Sequence, residues 1–457
     1  MPTFAPAKLA TWTGGSWTRI PDGAVTGFNQ DSRTLSAGQV FVALKTDKRD
    51  GHDFLNDAQK SGAVAALVSR PVVGTTLPQL VTTDPLGAFQ RIAREHRREF
   101  HGTVVGVTGS AGKTSTKDLL ALLLGGQPEV LATVGNLNNS IGVPLTLTRL
   151  DPTHRAAVVE AGVNMPGEMT GLAEMIEPDH SLVTLVAPAH LEKLGSVAGV
   201  AAEKARLPAA NRSGGVAVFP VSCWEYEPFR ALANPLVLVP ESKVTTKLVV
   251  RTVSFNVSHR PERTEITLGG KRPFTLRRVS AGMAQNAALA LTLASELGVK
   301  DAALQARLEN WQPSQWRGEL RQVGEATVYC DFYNANPASM TDAIDAFNGA
   351  VKAGQPRLYV LGSMEELGAE SAAYHRQLGR LLHLRSGDFL FALGSQAVAL
   401  REGLLENGNP AAQIAIVADV APVRERLAGF KGAVFLKGSR RYQLETVLDP
   451  PAVAHAH

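Results

Sequence analysis

TVVGVTGSAGKTSTKDLLALLL, Thr103 to Leu124, reads as a strand, a glycine loop and a helix in immediate succession. Val104 to Val107 is apolar and β-branched, as a buried strand requires. Thr108 leads into Gly109, Ser110, Ala111 and Gly112. Lys113, Thr114 and Ser115 follow, and Leu119, Leu120 and Leu123 then recur at helical spacing. The two glycines let the backbone turn tightly and bring N–H groups close to phosphate oxygens. The new helix points its positive end at the same place. Lys113 adds a point charge, and the Thr114 hydroxyl can take a Mg²⁺ ligand position. The strict pattern G-x4-G-K-[ST] would place its first glycine at Val107, whereas Gly106 stands one residue too early. A plain glycine turn is the alternative, but Gly-Lys-Thr after a buried strand is a demanding coincidence.

With 457 residues, the chain has room for about two to four domains around ample cores. Its formal charge of +4 suits an anionic ligand without arguing for a nucleic-acid surface. Cys223 and Cys330 are the two cysteines, too few for a disulfide framework, and their sparseness points to a reducing cytoplasm. No signal peptide and no apolar run of membrane-spanning length is read. The closing AVAHAH reads as a frayed tail, with metal binding by His455 and His457 as the alternative.

Residues 1–100 read as a small α/β unit: strand Val40–Leu44, a helix through Phe54 and Ala58, strand Ala63–Val68. Asp31-Ser32-Arg33 could bind a phosphate by hydroxyl and guanidinium, or form a turn with an exposed arginine. Asp50-Gly51-His52 stands at the strand-to-helix turn. Leu86–Phe100 is a basic amphipathic helix whose arginine side reads as a solvated face. In residues 101–313, the apolar strands Ala156–Val159 and Leu182–Val186 lead to Glu160 and His190. Strand carboxyl ends line the ligand crevice of a doubly wound sheet, which places both near Lys113 and Thr114. GNLNNSIGVPLTL carries Asn136, Asn138 and Asn139, either as turn amides or as hydrogen-bonding groups for a polar substrate. A helix contains Lys204. The short strands between Arg206 and Arg278 read as an antiparallel layer at the domain edge. Gly282–Ala294 is a packing helix on which Asn286, by itself, reads as a surface amide. Residues 314–457 alternate strands (Ala326–Cys330, Leu358–Leu361, Phe389–Leu393, Ile414–Val417, Val434–Leu436) with helices, which predicts a parallel sheet.

TGSAGKTS, GNLNNSIGVPLTL, the strand ending in Glu160 and AHLEKLGS (Ala189–Ser196) together resemble the Mur ligase family. DFYNANPASM (Asp331–Met340) and LKGSRRYQLE (Leu436–Glu445) resemble the members that add a dipeptide, and the likeness runs from Asp31 to Glu445. It implies a three-domain α/β enzyme. Residues 1–100 would bind a uridine nucleotide through Ser32 and Arg33. Residues 101–313 would be a P-loop ATPase-like domain with a mostly parallel sheet. Residues 314–457 would be a Rossmann-like domain for the incoming dipeptide, with a hinge near Pro313–Arg317. The implied reaction is amide ligation in peptidoglycan precursor synthesis. ATP would phosphorylate the terminal carboxylate of UDP-N-acetylmuramoyl-tripeptide. The D-Ala-D-Ala amine would then attack the acyl phosphate, leaving a pentapeptide, ADP and phosphate. Two anions meet at the γ-phosphate, so cations are required.

The resemblance also implies residue roles. Thr108, Gly109, Ser110, Ala111, Gly112, Lys113, Thr114 and Ser115 would hold the ATP phosphates, with one Mg²⁺ on Thr114. A second Mg²⁺ would use Glu160, His190 and a carbamylated Lys204, a modification that turns an ammonium into an anionic oxygen ligand. Lys113, Glu160, His190 and Lys204 form the expected catalytic set. Asn286 would contact adenine, Arg317 the hinge and Asp331 the ribose or the hinge. Asn138 and Asn139 would hold the muramoyl substrate, and Asn334, Asn336, Ser439 and Arg440 the peptide end, with Arg440 suited to the dipeptide carboxylate. A cytoplasmic monomer with no nucleic-acid partner and no membrane span is implied.

Several positions depart from the family's pattern: Cys330 before Asp331, Ser363 where an Asp is usual, Gly282-Met283 before the adenine-contact helix, Arg206 after Lys204, and Arg441-Tyr442 after Lys-Gly-Ser-Arg. Two other functions stay open. One is a Mur ligase adding the third residue, meso-diaminopimelate or lysine, although YNANP stands where that enzyme has Asp-Asn-Pro-Arg. The other is a non-catalytic nucleotide-binding scaffold, which the retained phosphate and metal groups disfavour.

Overall fold

The computed structural model describes residues 2–243, 248–271, 273–352 and 354–448. His455 and His457 lie outside the described residues. Three sheets organise the chain, one in each of an N-terminal, a central and a C-terminal domain.

The first sheet runs Ser16–Trp17, Gln79–Val81, Ala65–Val68, Gln39–Val42, Gly27–Asn29, parallel except for its first pair. The Asp50-Gly51-His52 turn is structural. A Cβ on Gly51 would lie 2.7 Å from the Leu44 backbone. The Asp50 carboxylate accepts the His52 N–H at 3.0 Å, and His52 Nε2 accepts the Ser69 N–H at 2.9 Å. The turn thereby ties the strand end to the helix Leu55–Lys60.

One arginine of the helix Pro85–Glu99 departs from the expectation of a solvated face. Arg97 is fully buried. It donates to Ile176 O at 2.9 Å, Glu177 O at 2.9 Å and the Asp179 carboxylate at 2.9 Å. Asp179 also accepts the N–H of Val104 at 2.7 Å, at the start of the strand that carries the glycine loop. One buried guanidinium therefore joins the N-terminal helix to that strand.

The second sheet has nine strands. Its parallel centre places Ala156–Glu160 and His180–Val183 on either side of Thr103–Thr108. Val105 and Val107 face a layer built from the helices Lys113–Leu124 and Ala281–Glu296, and Val104 faces the opposite layer. The region after Arg206 is not one antiparallel layer. Ala217–Pro220 and Pro235–Pro240 continue the parallel sheet, and Arg251–His259 pairs parallel with Pro235–Pro240. Only Arg263–Leu268 and Phe274–Arg277 are antiparallel. The parallel strands are short apolar runs separated by turns, a pattern that antiparallel strands share.

The third sheet runs Glu319–Val323, Ala326–Cys330, Ala433–Lys437, Arg357–Gly362, Phe389–Leu393, Ile414–Val417. It is parallel apart from the first pair, and its strands match the expected ones closely. Both cysteines are buried, and no disulfide joins them. Among the described residues no helix is long and apolar enough to cross a membrane.

Candidate active site

The glycine loop leaves the carboxyl end of Thr103–Thr108 and opens directly into the helix Lys113–Leu124. Both glycines are needed. Gly109 has φ +147° and Gly112 φ +74°. A Cβ on Gly109 would stand 1.8 Å from Thr184 Oγ1, and one on Gly112 2.2 Å from Asn286 Nδ2. The loop is held from several sides. Thr184 Oγ1 donates to Ala111 O at 2.6 Å, and the Ser110 N–H and hydroxyl donate to Leu185 O and Ala187 O, each at 2.9 Å. Thr108 Oγ1 donates to Ala161 O at 2.8 Å. Lys113 Nζ donates to Gly109 O at 2.9 Å, folded over the loop where a phosphate would otherwise take its bonds. Thr114 is buried and Ser115 half-buried in the first helical turn.

Glu160 pairs in register with Val107, so its carboxylate emerges beside the loop. It is almost fully buried. Oε1 accepts from Asn138 Nδ2 at 2.7 Å, while Oε2 has no hydrogen-bond partner among the described residues. A buried carboxylate oxygen without a partner is costly unless a cation completes it. Lys204, on the helix Val197–Ala209, is also buried and makes no hydrogen bond to a described residue. Burial, and then repulsion from Lys113, hold its ammonium well below the usual lysine range. Burial likewise lowers Lys113, with Arg317 adding repulsion and Glu160 opposing it. The site thus gathers Lys113, Lys204 and Arg317 near the Glu160 carboxylate, with Glu203 acting on Lys204, and favours anions.

The C-terminal domain closes over this loop. Asn336 caps the helix Pro337–Ala350, its Oδ1 accepting from the Ser339 N–H, while its Nδ2 donates to Ser110 O at 3.0 Å. Both ends of the amide are therefore committed, and Asn336 braces the glycine loop rather than facing the peptide end. Asp342, on the same helix, accepts the Gly282 N–H at 2.7 Å. A Cβ on Gly282 would lie 2.7 Å from that carboxylate, so glycine at this departure from the family's pattern makes room for an interdomain contact. His190 Nδ1 meets the carboxylate of Glu366. Ser314 Oγ donates to Asp118 at 2.5 Å.

Other expected residues stand as follows. Asn286 is buried beneath Gly112, not on a helix surface. The Arg317 guanidinium stacks 4.0 Å from the Tyr333 ring. Asp331 pairs with the buried Lys437 at 2.6 Å, and burial raises its carboxyl against that pull. Asn139 Oδ1 caps the N–H groups of Ile141 and Gly142, while its Nδ2 makes no hydrogen bond to a described residue. Asn334 is exposed, and its Oδ1 accepts the Ala335 N–H at 2.9 Å. Ser439 is buried and bonded through its backbone to Ser363 and Tyr442. Arg440 pairs with Glu445 at 2.5 Å and lies over Trp316. Ser32 is half-buried, and the exposed Arg33 forks onto Asp31, whose carboxyl it lowers to about 2. Glu366, Asp342 and Thr184 were not singled out from sequence. Glu366 and Thr184 follow strand ends, a signal within reach; Asp342 carries none.

Three family descriptions match the chain: Mur ligase family, catalytic domain, over residues 24–102; Mur ligase middle domain, over 107–294; and Mur ligase, glutamate ligase domain, over 316–440. The chain belongs to the Mur ligase family. Among relatives, the UDP-N-acetylmuramoyl-tripeptide–D-alanyl-D-alanine ligase of Escherichia coli is 36% identical over 374 residues, 81% of each chain. The ligase of the same name from Haemophilus influenzae is 32% identical over 438 residues, 92% of each chain. MurF from Acinetobacter baumannii superposes with a TM-score of 0.85 at 27% identity, covering 98% of both chains. MurF ligase from Thermotoga maritima, solved in complex with ADP, gives 0.77 at 26% identity over 93% of this chain and 96% of that one.

Proposed function

We propose that this chain is an ATP-dependent ligase that joins D-Ala-D-Ala to UDP-N-acetylmuramoyl-tripeptide through an acyl phosphate. The named relatives support the substrates. The observation that carries the chemistry is the cradle itself: a two-glycine loop at a helix N-terminus, with Lys113 folded over it and Glu160 beside it. The loop N–H groups and Lys113 would hold the phosphates and neutralise charge as the γ-phosphoryl moves to the tripeptide carboxylate. That carboxylate then becomes an acyl phosphate, and attack by the dipeptide amine expels phosphate and forms the amide.

The residues fit Mg²⁺. Thr114 would take one ion. The partnerless Oε2 of Glu160 would take a second, with His190. Among the described residues no three His, Cys, Asp or Glu side chains gather as a metal site. A further oxygen ligand is therefore wanted, and carbamylation of Lys204 would supply it. The lowered basicity of that amine supports this, because only a neutral amine adds CO₂. Metal here would screen the two approaching anions. In this reading Ser32 and Arg33 serve the uridine nucleotide in residues 1–100. Asn138 and Asn139 serve the muramoyl peptide, and Asn334, Ser439 and Arg440 serve the dipeptide in residues 314–457. Arg317, Asp331 and Asn286 serve the nucleotide at the hinge with residues 101–313. This reading takes the chain as a cytoplasmic monomer.

Phosphate release by the full chain, given ATP, Mg²⁺, UDP-N-acetylmuramoyl-tripeptide and candidate amines, tests this. Release that requires D-Ala-D-Ala is expected. Release only with a diamino acid would reassign the reaction, and no release with any amine would overturn ligation. Arg440→Ala is expected to raise the dipeptide KM several-fold while the ATP KM holds. An unchanged dipeptide KM would remove Arg440 from the site, leaving it as the partner of Glu445.

A further inference from the structure

The contact between His190 and Glu366 joins two domains through two unusual turns. His190 follows the strand His180–Val183 of the central sheet, and Glu366 follows Arg357–Gly362 of the C-terminal sheet. Both are non-glycine residues in the left-handed region, with φ +52° and +63°. Their backbones meet as well as their side chains: the Glu192 N–H donates to Glu366 O at 3.3 Å. Gly368, at φ +64°, lies against Glu192, where a Cβ would be 3.4 Å from its Cα. The Glu366 side chain is about half exposed (52%). A half-exposed contact between an imidazole and a carboxylate returns little stability, and each left-handed residue has a conformational cost. The contact is therefore poorly explained as a device for holding the fold together.

Its chemistry points elsewhere. His190 Nδ1 is the engaged nitrogen, and Nε2 makes no hydrogen bond to a described residue. A carboxylate on one imidazole nitrogen fixes ring orientation and leaves the other nitrogen's lone pair for a cation. We propose that Glu366 is a positioning residue that aims His190 at the second metal, so that docking of the C-terminal domain completes the metal site. This rests on the metal reading above. Closure and metal capture then become one event: the imidazole is fixed only when Glu366 arrives with the C-terminal domain. The order has a chemical use, since charge at the γ-phosphate is neutralised only once the domain that carries the dipeptide is in place.

The test uses the full chain, Mn²⁺ as the probe ion and a non-hydrolysable ATP analogue. Weak-site Mn²⁺ binding is followed by electron paramagnetic resonance, and domain closure by small-angle X-ray scattering. Glu366→Ala is expected to weaken the second Mn²⁺ by about 10- to 100-fold and to reduce the compaction that nucleotide and metal produce together. Glu366→Gln, which keeps an acceptor oxygen, is expected to recover most of both. Thermal melting within a degree or two of the parent is expected, given the exposure of the side chain. Unchanged Mn²⁺ affinity in Glu366→Ala overturns the proposal while leaving the metal site standing. Weakened Mn²⁺ binding with unchanged compaction overturns the coupling to closure. Absence of a second Mn²⁺ on the parent chain overturns the metal reading and the proposal with it.

Discussion

Lys204→Ala is expected to lower turnover by on the order of 10³-fold or more, since it removes charge stabilisation at the reacting centre. Short carboxylates such as acetate or formate should restore part of it. The side chain is buried, lacks a hydrogen-bond partner among the described residues, and stands close enough to Lys113 for repulsion to lower its basicity. A bare ammonium there would be desolvated and would face another cation, with Glu203 offsetting only part of that. As a carbamate it would instead present oxygens to the metal on Glu160, and a small carboxylate entering the space left by alanine could do the same. Steady-state phosphate release at graded acetate concentrations measures both effects. Full activity in Lys204→Ala would sink the carbamate. Lost activity that no carboxylate restores would limit Lys204 to a packing role.

Arg97→Met is expected to be the most damaging single change to the fold, costing about 3 kcal/mol or more, as removal of one partner from a buried charge network does. The substitution keeps much of the side-chain volume but strips the donors from Ile176 O, Glu177 O and Asp179. Asp179 retains Arg212 at 3.6 Å and the Val104 N–H, which keeps the cost toward the lower end of such losses. Urea denaturation followed by tryptophan fluorescence, with each transition of the multidomain chain fitted separately, should show the loss. A change under about 1 kcal/mol would place the guanidinium among the weak surface interactions. Because Asp179 anchors the strand leading into the glycine loop, nucleotide affinity should fall alongside stability.

Local patterns were legible in the sequence wherever one element sets its own neighbours. The C-terminal strands Ala326–Cys330, Phe389–Leu393 and Ile414–Val417 were read to the residue, because each is a short apolar run bounded by turns and followed by a helix. The glycine loop was legible for the same reason. The parallel pairing of Pro235–Pro240 was not, because pairing direction is a long-range property that a four- to six-residue apolar run does not encode. The burial of Arg97 was not legible, because helical periodicity reports which residues share a face, not what that face meets. Asn336 was expected at the peptide end because the family resemblance implies it. The structure shows its amide divided between a helix cap and the glycine loop.

The sequence by itself determined the nucleotide chemistry. Gly109, Gly112, Lys113 and Thr114 are adjacent in the chain, and their function follows from backbone geometry that local residues dictate. Tertiary structure alone decided how the rest of the site is assembled. Glu160 and Lys113 are 47 positions apart and Ser110 and Asn336 are 226 apart; only strand pairing and domain docking bring them together. The partnerless oxygen of Glu160, the buried Lys204 and the Glu366–His190 contact are consequences of that docking. Burial and contact across domains depend on which surfaces meet, and no pattern within a single segment carries that information.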